Sequence, residues 1–232
     1  MRYAVISDIH GNLEALVTVL REIQDRHLNE IICLGDIVGY GANPDEVTEI
    51  VRNEARYVVR GNHDDAVFNI ASFDMINPYA KAAITYTRGL LSEQNSEWLK
   101  SLPLTQKFDD VLLVHSSPSD PQDWNYVFSD EDARFELSSF AERICFIGHT
   151  HVPVIFKERI KDDPERRWRE LINVGSVGQP RDGDNRASYG IIDTDNFTYE
   201  NFRVEYNYEG AAAKIIAAGL PPLLGERLKK GR

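Results

Sequence analysis

"YAVISDIHGNLEALVTVLREI", residues 3 to 23, decides how the rest of the chain is read. Tyr3 to Ser7 form a short apolar run of strand-forming residues. Asn12 then offers an N-cap, and Leu13, Leu16, Val17, Leu20 and Ile23 recur at helical spacing. Asp8 and His10 fall where the strand gives way to the helix. In open α/β sheets the ligand crevice lies outside the carboxyl ends of the strands, so these two polar side chains stand where chemistry is expected.

The same arrangement recurs outward from this stretch. "EIICLG" (30 to 35) reads as the next strand and ends in Asp36; Asn43, Pro44 and Glu46 then give an N-cap, a first helical residue and a capping-box partner. "RYVVRG" (56 to 61) is a third strand, ending in Asn62, His63 and Asp64. Strand, helix, strand, helix, strand is the pattern of a largely parallel sheet. Asn77-Pro78 and Ser92 mark helix starts, predicting helices over 78 to 90 and 92 to 101. "DVLLVHS" (110 to 116) delivers His115 and "RICFIGHTH" (143 to 151) delivers His149 and His151, with a helix expected over 130 to 141 behind Ser129. From residue 152 strand follows strand ("VPVIFKERI", "RWRELINVGS", "ASYGIIDT", "TYENFRVEY"), which predicts an antiparallel half. Within it "KERIKDDPERRWRE" (157 to 170) mixes both charge signs around Pro164 and reads as a solvated hairpin tip. Residues 1 to 232 are expected to form one α/β domain whose tail, 220 to 232, frays.

Composition narrows the partners. With 42% hydrophobic and 27% charged residues the chain is of ordinary soluble type, its start lacks the apolar core of a signal peptide, and no stretch nears the roughly 18 apolar residues of a membrane span. A cytoplasmic protein without a membrane partner is expected. Cys33 and Cys145 lie inside apolar runs and suggest no disulfide framework. A net charge of −11 opposes binding to duplex nucleic acid. A phosphate could still be held by a local cationic site, and metal ions are the obvious source of that charge.

Five strands end in metal-ligand side chains, and five of the six histidines fall at these positions. Each piece alone has a plainer reading: Asp-x-His as a helix cap, "GNHD" as a turn, His115 as a core histidine bonded to backbone. The five in succession point to one site. Imidazoles, carboxylates and one amide oxygen, without thiolates, suit manganese, iron, cobalt, nickel or zinc, with magnesium also possible. Asp8, His10, Asp36, Asn62, His115, His149 and His151 are too many for one tetrahedral ion, so two ions sharing a carboxylate fit, with Asp36 as the bridge.

As a set, "DIHGN", "GDIVGYG", "GNHD", the isolated His115 and "GHTH" resemble the signature blocks of the calcineurin-like metallophosphoesterase superfamily. "NVGSVGQPRDGDNRASYGIID" (173 to 193) further resembles its small prokaryotic members, the diadenosine tetraphosphatase and YfcE-type phosphodiesterases. The resemblance implies a four-layer fold of two packed mixed β-sheets flanked by helices. It implies Asp8, His10, Asp36 and His151 around one ion and Asp36, Asn62, His115 and His149 around the other. Water between the ions, acidified toward a pKa of about 7, would attack phosphorus. His63 resembles the histidine that binds a phosphoryl oxygen and protonates the leaving group, with Asp64 either orienting it or capping the turn. Arg60 and Arg181 are candidates for phosphate contact, and Tyr40, Asn43 and residues 67 to 79 for the cleft wall. A phosphodiesterase or phosphomonoesterase of small, nucleotide-type substrates is expected. "GDIVGYG" lacks the Asp-Arg of the protein phosphatase block "GDxxDRG", which argues against that activity; a non-catalytic scaffold of the same fold is the other alternative.

Overall fold

Strand β1 (Arg2–Ile6) turns Tyr3 and Val5 to one face and Ala4 and Ile6 to the other, and both faces are buried. A strand covered on both sides sits mid-stack, each set of alternating side chains packing against a different layer. The computed structural model, which describes residues 1–160 and 168–232, shows those layers. After β1 come α1 (Leu13–Asp25), β2 (Ile31–Cys33), α2 (Pro44–Glu54) and β3 (Tyr57–Val58), and β1, β2 and β3 pair in parallel as the strand–helix alternation predicts. Asn12 caps α1 through the Ala15 N–H at 3.1 Å. Asn43 makes no such cap; its amide donates to Glu46 Oε1 at 3.0 Å, a side-chain pair in place of the expected capping box.

Four helices follow, α3 (Asn62–Ala66), α4 (Ile70–Met75), α5 (Pro78–Leu90) and α6 (Glu93–Ser101), and then β4 (Thr105–Phe108), β5 (Val111–Val114), α7 (Asp130–Leu137) and β6 (Ile144–Ile147). The chain closes with β7 (Val154–Arg159), β8 (Trp168–Asn173), β9 (Ala187–Asp193), β10 (Thr198–Val204), α8 (Tyr208–Ala217) and α9 (Pro222–Lys230). Among the described residues the strands make two mixed five-stranded sheets, in the orders β10-β9-β1-β2-β3 and β4-β5-β6-β8-β7. Tyr3, Val5, Ile32 and Leu34 from the first meet Leu113, Ile144, Phe146 and Ile172 from the second in a shared core. Ala4, Ile6 and Cys33 face outward onto α1 and α2, and Val114, Cys145 and Leu171 onto α7. Helix, sheet, sheet, helix is the four-layer arrangement expected.

The late half is less uniformly antiparallel than its pattern suggests. β7 and β8 pair antiparallel, as do β9 and β10, but β8 lies parallel to β6. Residues 161–167, at the expected hairpin tip, lie outside the described residues; Arg159 and Trp168 face each other across the strands on either side. The tail expected to fray over 220–232 is instead ordered as α9. Leu220, Leu224 and Leu228 are buried at four-residue spacing against Ala211 and Ile215 on α8, Pro222 opens the helix, and Gly231 closes it at φ 61°.

Candidate metal centre

The carboxyl ends of β1, β2, β3, β5 and β6 meet at one rim, and the polar residues just beyond them converge. Ligand-type atoms of Asp8, His10, Asp36 and His151 lie within 4.8 Å of one another, as do those of Asp36, His115 and His149. Asp36 belongs to both groups, and all six residues are buried. His151 Nε2 is 3.2 Å from Asp8 Oδ1, His115 Nε2 is 3.4 Å from Asp36 Oδ2, and His10 Nε2 is 3.5 Å from the same oxygen.

Tight turns aim these side chains. Asp8, His10, Asp36, His149 and His151 all have left-handed φ between 51° and 66°, a region that Asp and His enter more readily than most residues. Two glycines let the loops close on the carboxylates. At Gly148 a β-carbon would strike Ser7 Oγ and Asp8 Oδ2, and at Gly61 it would strike the backbone nitrogen and Oδ1 of Asp36.

Each imidazole is fixed by a backbone carbonyl: His10 Nδ1 to Val38 O (3.1 Å), His115 Nδ1 to Leu34 O (2.7 Å), His151 Nδ1 to Gln179 O (2.6 Å) and His149 Nε2 to Trp124 O (2.9 Å). A carbonyl only accepts, so that ring nitrogen carries a proton, and in His10, His149 and His151, which burial keeps neutral, the other nitrogen presents a lone pair. The lone pairs of His10 and His151 meet Nε2 to Nε2 at 3.1 Å. Among the described residues Asn62 Oδ1 is buried without a hydrogen-bond partner, and His115 Nε2 has the Asp36 carboxylate near it. The cluster therefore gathers acceptors around a common centre, a donor set that fits a cation. In the metal-free chain His115 supplies some positive charge. Burial lowers its pKa, but Asp36 and Asp8 outweigh that and raise it to about 9. Burial, with the nearby His115 charge, drives His149 down to about 3.

The remaining expected site residues divide. His63 donates its backbone N–H to Asp36 Oδ1 at 2.8 Å, and its buried ring packs against Tyr40 at 4.5 Å and His10 at 4.8 Å. Burial, reinforced by the charge of Arg181 and opposed by that of Asp36, brings its pKa to about 4. Asp64 does not hydrogen-bond to the His63 imidazole. Its carboxylate accepts from the N–H groups of Ile37 (2.9 Å), Val38 (3.1 Å) and Gly61 (3.0 Å), so of the two roles expected it fills the turn-fixing one and ties the β2 and β3 loops together. Burial and the Asp36 charge push that carboxyl up, against the pull of these N–H groups. Arg60 is ion-paired, its Nε 3.4 Å from Asp65 Oδ1. Arg181 donates to the neutral Gln179 side chain at 2.8 Å and lies over the Tyr40 ring at 5.7 Å, leaving its charge directed toward His63 and His151.

Beside His63, Asn62 and His149 opens a cavity of about 750 Å³. Tyr40 and residues of the 67–79 segment line it as expected, including Ser72, Met75 and Asn77, whereas Asn43 does not. Pattern reading missed the loop after β5: Trp124 anchors His149 through its carbonyl, and Tyr126 stacks on the His149 ring at 4.0 Å. Gln179 and Ser176 were likewise missed as supports, Ser176 Oγ donating to Asp8 O at 2.7 Å. The only sequence signal was the aromatic pair in "QDWNY".

Comparison with known proteins agrees with this geometry. The family model for the calcineurin-like phosphoesterase superfamily domain matches residues 1–197. An uncharacterized protein of Methanocaldococcus jannaschii is 44% identical, with 99% of this chain and 98% of that one covered. The crystal structure of a metallophosphoesterase from Sphaerobacter thermophilus is 39% identical with a TM-score of 0.89, covering 100% of this chain and 99% of that one. A hypothetical protein from Pyrococcus horikoshii shares the fold at 21% identity and a TM-score of 0.85, covering 100% and 98%.

Proposed function

The chain belongs to the calcineurin-like phosphoesterase superfamily, and from that premise we propose that it is a metal-dependent phosphohydrolase acting on small phosphomonoesters or phosphodiesters. The observation that carries this reading is the convergence of ligand-type atoms on two groups sharing Asp36, with Asn62 Oδ1 buried beside them and without a hydrogen-bond partner among the described residues. Asp8, His10, Asp36 and His151 would hold one divalent ion, and Asp36, Asn62, His115 and His149 a second. Manganese is the first choice, and iron, zinc, nickel, cobalt or magnesium suit the same donors. Bound there, such ions would polarise a phosphoryl oxygen and acidify water from a pKa of 15.7 toward about 7.

The chain's own residues complete the site. Carbonyls of Val38, Leu34, Trp124 and Gln179 keep the ligand rings in one tautomer and orientation, so little reorganisation accompanies loading. His63 lines the cavity where a leaving group would depart. Beside a negatively charged phosphoryl oxygen the ring would take up a proton from solvent, and that imidazolium would hydrogen-bond the oxygen and pass its extra proton to the leaving alkoxide, returning to neutral imidazole. Arg181, with no carboxylate among its hydrogen-bond partners in the described residues, would face the substrate's anion. Arg60, already paired with Asp65, serves the cavity wall.

The test is a metal-supplemented screen. Protein stripped with EDTA should fail to hydrolyse bis(p-nitrophenyl) phosphate and p-nitrophenyl phosphate and recover on adding manganese. Flat rates across manganese, nickel, cobalt, zinc and magnesium would refute the enzymatic reading.

A further inference from the structure

The cavity beside the cluster is far larger than the chemistry at phosphorus requires. At about 750 Å³ it lies within the usual range for pockets that enclose organic ligands. Two segments supply its apolar wall: the Trp124 loop, and the α4 region with Met75 and Ile76; Leu104 adds to it. Met75 is 87% exposed and stands at the cavity's rim. Trp124 is half-buried, held at φ 55° by a turn whose carbonyl is fixed on His149. Its indole touches the cluster only edge-on, 6.2 Å from His115. Tyr40 and Tyr126 are otherwise engaged, the first against His63 and His10, the second against His149 and Phe128.

Charge on the same wall sets a second condition. Among the described residues Arg60 is the sole lysine or arginine lining the cavity, and it is paired with Asp65, while Asp123 adds a negative charge. A leaving group carrying further phosphates would meet little compensation there, in a chain of net charge −11. An uncharged ring would lose nothing.

Resting on the phosphoesterase reading above, we propose that the cavity selects substrates whose leaving alcohol carries an uncharged planar ring, such as a nucleoside, seated against the Trp124 indole, and rejects polyanionic leaving groups. Trp124 is then a specificity-determining residue.

The test compares substrates with the same primary leaving alcohol. Adenosine 5′-phosphate and ribose 5-phosphate, each as the free monoester and the methyl diester, are assayed for hydrolysis with the manganese-loaded full chain. Their binding to the full chain is also measured by calorimetry and by quenching of tryptophan fluorescence, which needs no turnover. The adenosine compounds should win by roughly five- to a hundredfold, the range that removing one base–aromatic stack usually costs. Trp124→Ala should collapse the ratio toward one, and Trp124→Phe should restore most of it. A change that merely loosened His149 would lower both substrates together and keep the ratio. Equal binding of the two by the wild type, an unchanged ratio in Trp124→Ala, or tighter binding of adenosine 5′-triphosphate than of the monophosphate in EDTA each overturns the proposal. Adenosine selectivity in binding without hydrolysis of any ester would uphold it and sink the enzymatic reading instead.

Discussion

Gly61→Ala isolates the role of the shared carboxylate. Gly61 has φ −94° and ψ 171°, extended backbone that alanine adopts freely, so the substitution carries no conformational penalty. Its cost is steric. The new methyl would overlap the backbone nitrogen and Oδ1 of Asp36 and come within 2.9 Å of its Cγ. That nitrogen cannot step aside cheaply, because the Asp36 carbonyl accepts from His10 N–H at 2.9 Å and its carboxylate from His63 N–H at 2.8 Å. Forcing an extra carbon into such a contact costs about 1–3 kcal/mol. For a chain of this size that lowers Tm by roughly 2–12 °C. Asp36 belongs to both ligand groups, so affinity for metal should fall at both together, by about the 10- to 100-fold typical of displaced supporting residues. Calorimetric melting in EDTA reads the first effect, and manganese titration with metal analysis of the desalted protein reads the second. Gly89→Ala is the control: nothing lies within 4 Å of its added carbon, and in helix α5 it should gain about 0.5–1 kcal/mol. Gly61→Ala protein that melts within a degree of wild type and keeps its metal content would refute the claim that this close approach positions Asp36.

His63→Asn should lower kcat by about 10²- to 10⁴-fold while metal content stays at the wild-type level; metal loss in step with activity would reassign His63 to structure. Arg181→Gln should raise KM for a phosphomonoester about tenfold with a smaller change in kcat, and steady-state kinetics that show only a kcat effect would exclude phosphate binding by this cation. The Asp36 and Asp8 carboxylates raise the His115 pKa, against burial, from the ordinary 6.5 to about 9, so its imidazolium stabilises the fold when no metal is bound. That contribution is fully present below about pH 6.5 and lost as pH rises through about 9, so Tm in EDTA should decline over this window. Metal needs the unprotonated nitrogen, so manganese affinity should climb over the same window by up to about tenfold per pH unit; a flat titration series would show that His115 is not a ligand. Leu228→Ala should cost about 2–5 kcal/mol in chemical denaturation if α9 is packed as described, and a neutral result would return the tail to the frayed state.

Much of the site was legible because its signals are chemical rather than conformational. Asp8, His10, Asp36, His115, His149 and His151 are residue types with few reasons to recur at strand ends, and the β1-α1-β2-α2-β3 alternation assigned their elements with little ambiguity. The supports were hidden for the opposite reason. Val38, Leu34, Trp124 and Gln179 act through backbone carbonyls, which every residue carries, so no side-chain pattern announces them. Asp64 was half read: a carboxylate beside a catalytic-type histidine suggests orientation, and only the fold shows three N–H groups reaching it first. The tail misled because "GERLKKGR" is polar but for Leu228, while the other two leucines that bury it, Leu220 and Leu224, precede that stretch.

Five ligand candidates with left-handed backbone have an energetic consequence that ties fold to function. At about 1–3 kcal/mol for each such residue, Asp8, His10, Asp36, His149 and His151 together store an amount comparable with the net stability of a typical domain. The loops offset it with hydrogen bonds that continue the sheet past its strands: Asp8 N to Gly35 O at 3.0 Å, His10 N to Asp36 O at 2.9 Å, Gly178 N to Asp8 O at 3.0 Å and Gly148 N to His115 O at 2.9 Å. These bonds bridge β1 to β2, β1 to the loop before β9, and β5 to β6, so both sheets must be assembled before the ligands are aimed. A cation seated among them adds its binding energy only to that assembled state. Metal binding and the packing of one sheet on the other are therefore coupled, which is why a methyl group at Gly61, outside every ligand side chain, is expected to be felt in both.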